Sequence, residues 1–151
     1  MSVTTFAAIS IGSYEIELKI FEISPKTGIR EMDRISHVIE LGRDTYNKDK
    51  ISFEMVDKLC GILYDFSYIM KGYKVKAYRA CATSAIREAV NSKNVLDRVK
   101  VRTGLDIELL SNSEQRFISY KAFSMQDEII EQAMNCLLYT SPSPRDSTSS
   151  R

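Results

Sequence analysis

The spacing of apolar residues changes several times along this chain, and each change marks an element. Phe6 to Ile11 is a short apolar run that stops at Gly12-Ser13, the pattern of a strand entering a tight turn. Tyr14 to Ile23 nearly alternates, with Ile16, Leu18 and Ile20 on one face. It predicts a second strand, so Gly12-Ser13 closes a hairpin. Pro25-Lys26-Thr27-Gly28 reads as the next turn and Arg30 to Leu41 as a third strand. These three make an antiparallel meander.

Gly42 to Lys50 is polar and reads as a loop. Ser52 is a plausible N-cap. Behind it Phe53, Val56, Leu59, Leu63, Phe66 and Met70 recur at three- and four-residue steps, which predicts a long amphipathic helix ending near Gly72. Val75 to Cys81 predicts a fourth strand, Ser84 to Ala89 a short helix, and Asn94 to Thr103 another, with Gly104 as its C-terminal stop. Ile107 to Leu110 is a fifth strand. Glu114 to about Asn135 is a last helix with Phe117, Ile118 and Met125 apolar. The order β-β-β-α-β-α-α-β-α predicts an α/β sheet with an antiparallel edge. It resembles one lobe of the ribonuclease-H-like, actin-like ATPase architecture.

Bulk composition narrows the function classes. At 44% hydrophobic and 27% charged the chain is globular. Its formal net charge of +1 gives no global field toward nucleic acid or a membrane surface. Any anion site must therefore come from local geometry. Cys60, Cys81 and Cys136 are far apart and lack metal-type spacing, which predicts free thiols and a cytoplasmic protein. No run is long enough to cross a membrane.

Three short segments carry the candidate chemistry. Gly12-Ser13 could let backbone N–H groups approach a phosphate, or be an ordinary turn. Thr83, Ser84 and Arg87 sit on a strand-to-helix turn, where N–H groups attract anions and an arginine can add a bidentate contact. The alternative is that Ser84 caps its helix and Arg87 pairs with a surface acid. Ser111-x-x-Glu114 fits a capping box. Its glutamate could also orient a water for in-line attack on phosphorus. His37 lies mid-strand and reads as a surface residue. Lys71, Lys74, Lys76 and Arg79 read as a solvated basic edge.

With Ala82-Thr83-Ser84-Ala85-Ile86-Arg87-Glu88-Ala89, Asn91, Thr103-Gly104-Leu105 and Ser111-x-x-Glu114 in view, the chain resembles the exopolyphosphatase and guanosine pentaphosphate phosphatase family. Leu41-Gly42 ahead of Ile51-Ser52-Phe53-Glu54 also fits. The likeness covers roughly Thr5 to Phe123. It implies that Glu114 is catalytic, that Gly12, Ser13, Thr83, Ser84 and Arg87 bind phosphate, and that Mg²⁺ takes part through ligands not identifiable here. It further implies polyphosphate or a phosphorylated guanosine nucleotide as partner, and admits a homodimer of the full-length protein. The implied reaction is release of a terminal phosphate by water that Glu114 directs.

The chain departs from the family pattern at three places. The first loop carries Ser10 and Tyr14 where the pattern has an acid and an amide. The glutamate motif carries Gln115 where the pattern has a second carboxylate. From Cys136 onward the sequence turns Ser/Pro-rich and resembles a translated transposon sequencing adapter. The expectation is an incomplete N-terminal lobe over residues 1–135, a non-native disordered tail over 136–151, and no second Gly-rich phosphate loop. That predicts a chain without turnover of its own. Two other readings stay open, a non-catalytic relative that senses a phosphorylated nucleotide or polyphosphate, and a kinase or chaperone-type ATPase of the same superfamily.

Overall fold

In the computed structural model, residues 3–26 and 28–117 are described. The rest of the last expected helix, with Ile118 and Met125, and the segment from Cys136 lie outside them. The chain runs β1 (Thr4–Ile11), β2 (Glu15–Ser24), β3 (Gly28–Val38), α1 (Leu41–Lys48), α2 (Phe53–Gly72), β4 (Ala77–Ala82), α3 (Ser84–Arg87), α4 (Ser92–Thr103) and β5 (Glu108–Leu109). Residues 112–117 begin a further helix.

The strands form one five-stranded sheet in the order β3-β2-β1-β4-β5. The meander β1-β2-β3 is antiparallel, with Ile11 opposite Ile16 at the hairpin and Leu18 opposite Ile35. From β1 outward on the other side the pairing is parallel, Ile11 beside Ala82 and Ala82 beside Leu109. Parallel neighbours need crossover connections, and α2 and then α3–α4 supply them.

Pairing partners share a face, so the alternation of side chains decides where the core lies. Ala7, Ile9, Ile11, Ile16, Leu18, Ile20, Ala80 and Ala82 all point to one side and are buried. There they meet Val56, Leu59, Leu63, Phe66 and Met70 of α2 and Val95 and Val99 of α4. The helical periodicity is thus the imprint of this one interface. On the opposite face Ser10, Glu17, Lys19 and Cys81 alternate with those residues and are also buried, beside a Phe6–Phe21 stack with centroids 6.5 Å apart. Burial pushes the Cys81 thiol up to about 11, so it is protonated and inert at neutral pH. His37 is exposed on β3 and packs against the Phe66 ring, as expected of a surface residue. Among the described residues no helix is long and apolar enough to cross a membrane.

The clearest correction is α1. Gly42 to Lys50 was expected as a loop, because it has no apolar stripe and is rich in poor helix formers. Yet it is helical over Leu41–Lys48, and β3 stops at Val38 to make room. Apart from Leu41, which joins the core, the helix is held by polar contacts. Its buried residues are Leu41, Gly42, Asp44 and Thr45. The Thr45 hydroxyl donates to the Ala85 carbonyl at 2.7 Å, and Asp44 Oδ2 accepts the Ser52 N–H at 2.8 Å. Ser52 in turn caps α2 by accepting the Met55 N–H at 3.2 Å. The next loop is tied down as well. Asn91 accepts from Ile51 N at 3.1 Å and donates to Ile51 O at 2.9 Å, and Val90 N donates to Asp49 O at 2.8 Å. Smaller differences are that α4 starts at Ser92 and the last helix at residue 112.

Burial pushes the Asp44 carboxyl up, but the Ser52 hydrogen bonds and nearby Lys48 and Arg43 outweigh it and hold it below its ordinary 3.8. A carboxyl lowered in the fold stabilises above its unfolded value, and that contribution is lost as pH falls through the folded value. Asp44→Ala should therefore cost about 2 kcal/mol near neutral pH, the scale of a hydrogen bond to a charged group. The gap to the parent in urea midpoint should narrow on acidification below the ordinary aspartate value. A gap that stays constant across that range would show that the Asp44 charge plays no part.

Candidate functional site

Strand register places the candidate groups. Because Ile11 pairs with Ala82 and Ala82 with Leu109, the strands β1, β4 and β5 end at one level. The residues that follow each end, Gly12-Ser13, Thr83-Ser84 and Leu110-Ser111, therefore stand abreast along one edge of the sheet. Two further backbone bonds lock them together, Thr83 N to Ile11 O at 3.2 Å and Leu110 N to Ala82 O at 3.0 Å. Crevices at the carboxyl ends of strands are where α/β sheets hold ligands.

The first turn is more closed than its sequence suggests. The Gly12 N–H, one of the backbone donors expected to face a phosphate, bonds to Glu15 O at 2.9 Å. The hairpin's carbonyls are also taken, Ser13 O by Gly42 N at 2.7 Å and Tyr14 O by Ile39 N at 3.1 Å. The Ser13 side chain of this turn is buried and faces two other hydroxyls. Its Oγ lies 3.4 Å from Ser84 Oγ and 3.1 Å from the Tyr46 phenol. The Tyr46 hydroxyl also donates to Ser84 Oγ at 2.8 Å.

Ser84 does not cap its helix. The N-cap position of α3 is Thr83, and no side chain bonds there. The Thr83 hydroxyl is buried and has no hydrogen-bond partner among the described residues. Leaving a buried hydroxyl unpaired costs about 1–3 kcal/mol, so such a group asks for a ligand or water.

Arg87 is not aimed at a surface acid alone. Glu88 is 3.7 Å away, but the guanidinium is fixed by Nη1 to Leu110 O at 2.5 Å and Nη2 to Asn112 Oδ1 at 2.9 Å. Those acceptors belong to the turn after β5. Arg87 thus ties the second strand-to-helix turn to the third, and its side chain is only 19% exposed. The third turn carries a complete capping box. Ser111 N donates to Glu114 Oε1 at 2.9 Å, and Glu114 N donates to Ser111 Oγ at 3.0 Å. This places Glu114 at the third helical position and explains why the helix begins at 112. It leaves Oε2 of Glu114 outside the box, on an exposed residue.

Mg²⁺ fits poorly. Position 10 holds a buried serine with no charge to offer, and among the described residues no cluster of three His, Cys, Asp or Glu side chains could hold a metal. Sequence reasoning missed Tyr46 and Asn112. Both reach the site across chain separations that spacing does not reveal, although Gly42 was a usable signal. A Cβ at Gly42 would come within 3.0 Å of Ser13, Tyr14 and Tyr46 atoms, so α1 approaches the first turn there as closely as glycine permits.

Comparison with known proteins bears on the family and the fold. The model of the Ppx/GppA phosphatase family matches residues 20–137. Exopolyphosphatase 1 of Mycobacterium tuberculosis is 26% identical over 114 residues, 76% of this chain and 33% of that protein. The Mycobacterium leprae exopolyphosphatase 1 matches at the same identity and covers 34% of its length. This chain therefore spans about a third of the curated relatives it matches. A Ppx/GppA family member from Aquifex aeolicus superposes with a TM-score of 0.76 at 25% identity, over 83% of this chain and 41% of that one. An exopolyphosphatase from Cytophaga hutchinsonii, 22% identical, shares the fold with a TM-score of 0.74 over 80% of this chain and 38% of that one.

Gly42→Ala should separate α1 from the first turn while leaving α2 and the core intact. The expected cost is about 1–3 kcal/mol, the range for forcing a methyl into a filled contact. Tyrosine fluorescence or ring NMR shifts should report displacement of Tyr14 and Tyr46. Unchanged stability and unchanged ring signals would show that the approach is looser than drawn.

Proposed function

This chain belongs to the Ppx/GppA phosphatase family, and from that membership we propose that it forms the phosphate-holding part of a phosphohydrolase acting on the terminal phosphate of polyphosphate. One observation carries the reading. Three strand ends bring Ser13, Ser84, the unpaired buried Thr83 hydroxyl and the fixed Arg87 onto one edge. Hydroxyls and a guanidinium are what recognise phosphate oxygens when net charge supplies no field. Arg87 arrives pre-positioned, so little side-chain freedom is lost on binding.

In this reading Glu114 Oε2 accepts a hydrogen bond from the attacking water. The water oxygen bonds to the terminal phosphorus, the phosphoanhydride P–O bond breaks, and the shortened chain leaves with its oxygen. Glu114 takes the water's proton. Most of the rate comes from holding and neutralising the phosphates, with the base as a lesser contribution. Guanosine pentaphosphate ends in the same phosphoanhydride and would meet the same groups.

A second reading has specific support. Glu114 is already bound into its capping box, and Ser10 and Gln115 replace two carboxylates of the family pattern. A polyphosphate or nucleotide sensor that binds without turnover would tolerate all three.

Calorimetry with tripolyphosphate tests the shared premise. Arg87→Ala should weaken binding by at least about tenfold, the scale of a lost charge-assisted hydrogen bond. Equal affinity in the variant and the parent would overturn the site. In a full-length version, phosphate release in Mg²⁺ that disappears in Glu114→Gln favours the hydrolase, and binding with no release favours the sensor.

A further inference from the structure

We infer that the Tyr46 phenol positions the Ser84 hydroxyl as a donor toward a bound phosphate oxygen. This rests on the phosphate-site reading above and adds to it a residue from outside all three strand-end turns. The three hydroxyls form a triangle, with Tyr46 to Ser84 at 2.8 Å, Tyr46 to Ser13 at 3.1 Å and Ser13 to Ser84 at 3.4 Å.

A hydroxyl has one proton and two acceptor sites, and its proton rotates to suit its neighbours. A phosphate oxygen can only accept. For Ser84 to donate to it, something else must occupy a lone pair of Ser84 and leave the serine proton turned outward. The Tyr46 proton does this, since the phenol is the donor in the shortest side of the triangle. A serine oxygen that is already accepting is also the better donor, because hydrogen bonds in a chain polarise one another. With the phenol proton spent on Ser84, the buried Ser13 hydroxyl donates to the Tyr46 oxygen at 3.1 Å and polarises the phenol further.

The phenol is held in place before any ligand arrives. The preceding residue, Thr45, is buried and bonded to the Ala85 carbonyl, next to Ser84 in sequence. On the other side Gly42 N–H bonds to Ser13 O, and the Tyr46 ring edge lies where a Gly42 Cβ would touch it. Helix α1 is thereby clipped to the turns on both sides of the triangle. About half of the tyrosine surface remains exposed, at 48%, so a ligand can reach its hydroxyl edge. Tyr46 is a positioning residue for the phosphate, with its effect passing through Ser84.

The test uses tripolyphosphate with the parent chain, Tyr46→Phe and Arg87→Ala. Phenylalanine keeps the ring packing and removes only the hydroxyl. Tyr46→Phe should bind about fivefold more weakly, the effect of one neutral hydrogen bond, with its thermal midpoint unchanged. Ligand addition should shift the tyrosine near-ultraviolet difference spectrum of the parent, and that shift should be missing from Tyr46→Phe. Equal affinity in Tyr46→Phe overturns the inference, and tighter binding does so too, because the phenol would then be blocking the serines. A weaker affinity that comes with a lowered midpoint and no phenol signal also overturns it, as general loosening. If the parent does not bind, or Arg87→Ala binds as well as the parent, the phosphate-site reading falls and takes this inference with it. If Arg87→Ala alone weakens binding, only the role of Tyr46 falls.

Discussion

Parallel pairing of β1 with β4, and of β4 with β5, fixes where every candidate ligand group stands. Ile11, Ala82 and Leu109 share one level across the sheet, so the segments after them must turn away side by side. The apolar face that α2 and α4 cover holds that register, because a one-residue slip would turn Ile9, Ile11, Ala80 and Ala82 out of the core. Burial of the sheet on one side and placement of hydroxyls at its edge are therefore one requirement. Backbone bonds such as Thr83 N to Ile11 O and Leu110 N to Ala82 O tie the strand ends together along that edge.

Three polar ties then convert adjacency into geometry. Arg87 joins α3 to the turn after β5, the capping box fixes Glu114, and α1 locks the hairpin turn to α3. None of these buries much apolar area. The last of them, with buried Leu41 and the Asp44–Ser52 bond, explains why a polar stretch such as Leu41–Lys48 is helical at all. Its helix is held by what its ends and buried face bond to, in the way tertiary contacts override weak propensity. Such ties suit a ligand site, since they set side-chain direction more tightly than packing of aliphatic groups does.

Much of this was legible from the chain. The strand alternation at Ile16, Leu18 and Ile20 and the stripe from Val56 to Met70 are direct imprints of the core. The Ser111–Glu114 box could be read because both partners lie within one helical turn. Contacts between residues far apart in sequence were not legible. Nothing in the spacing shows that Tyr46 reaches Ser84, or that the Gly12 N–H is spent inside its own hairpin. Helix α1 was missed because its buried face is Gly, Asp and Thr with a single leucine, which carries no apolar period. The resemblance supplied the site's location, and the fold supplied which of its atoms are committed.

The central claim is that the joined ends of β1, β4 and β5 form one phosphate-binding edge. Amide shift mapping of this chain by NMR, on titration with tripolyphosphate, tests it most directly. The account predicts that the largest saturable shifts fall on Ser13, Thr83, Ser84 and Arg87, with Tyr46 following them. Shifts concentrated instead on the exposed Lys71, Lys74 and Lys76 edge would show diffuse surface attraction and contradict it.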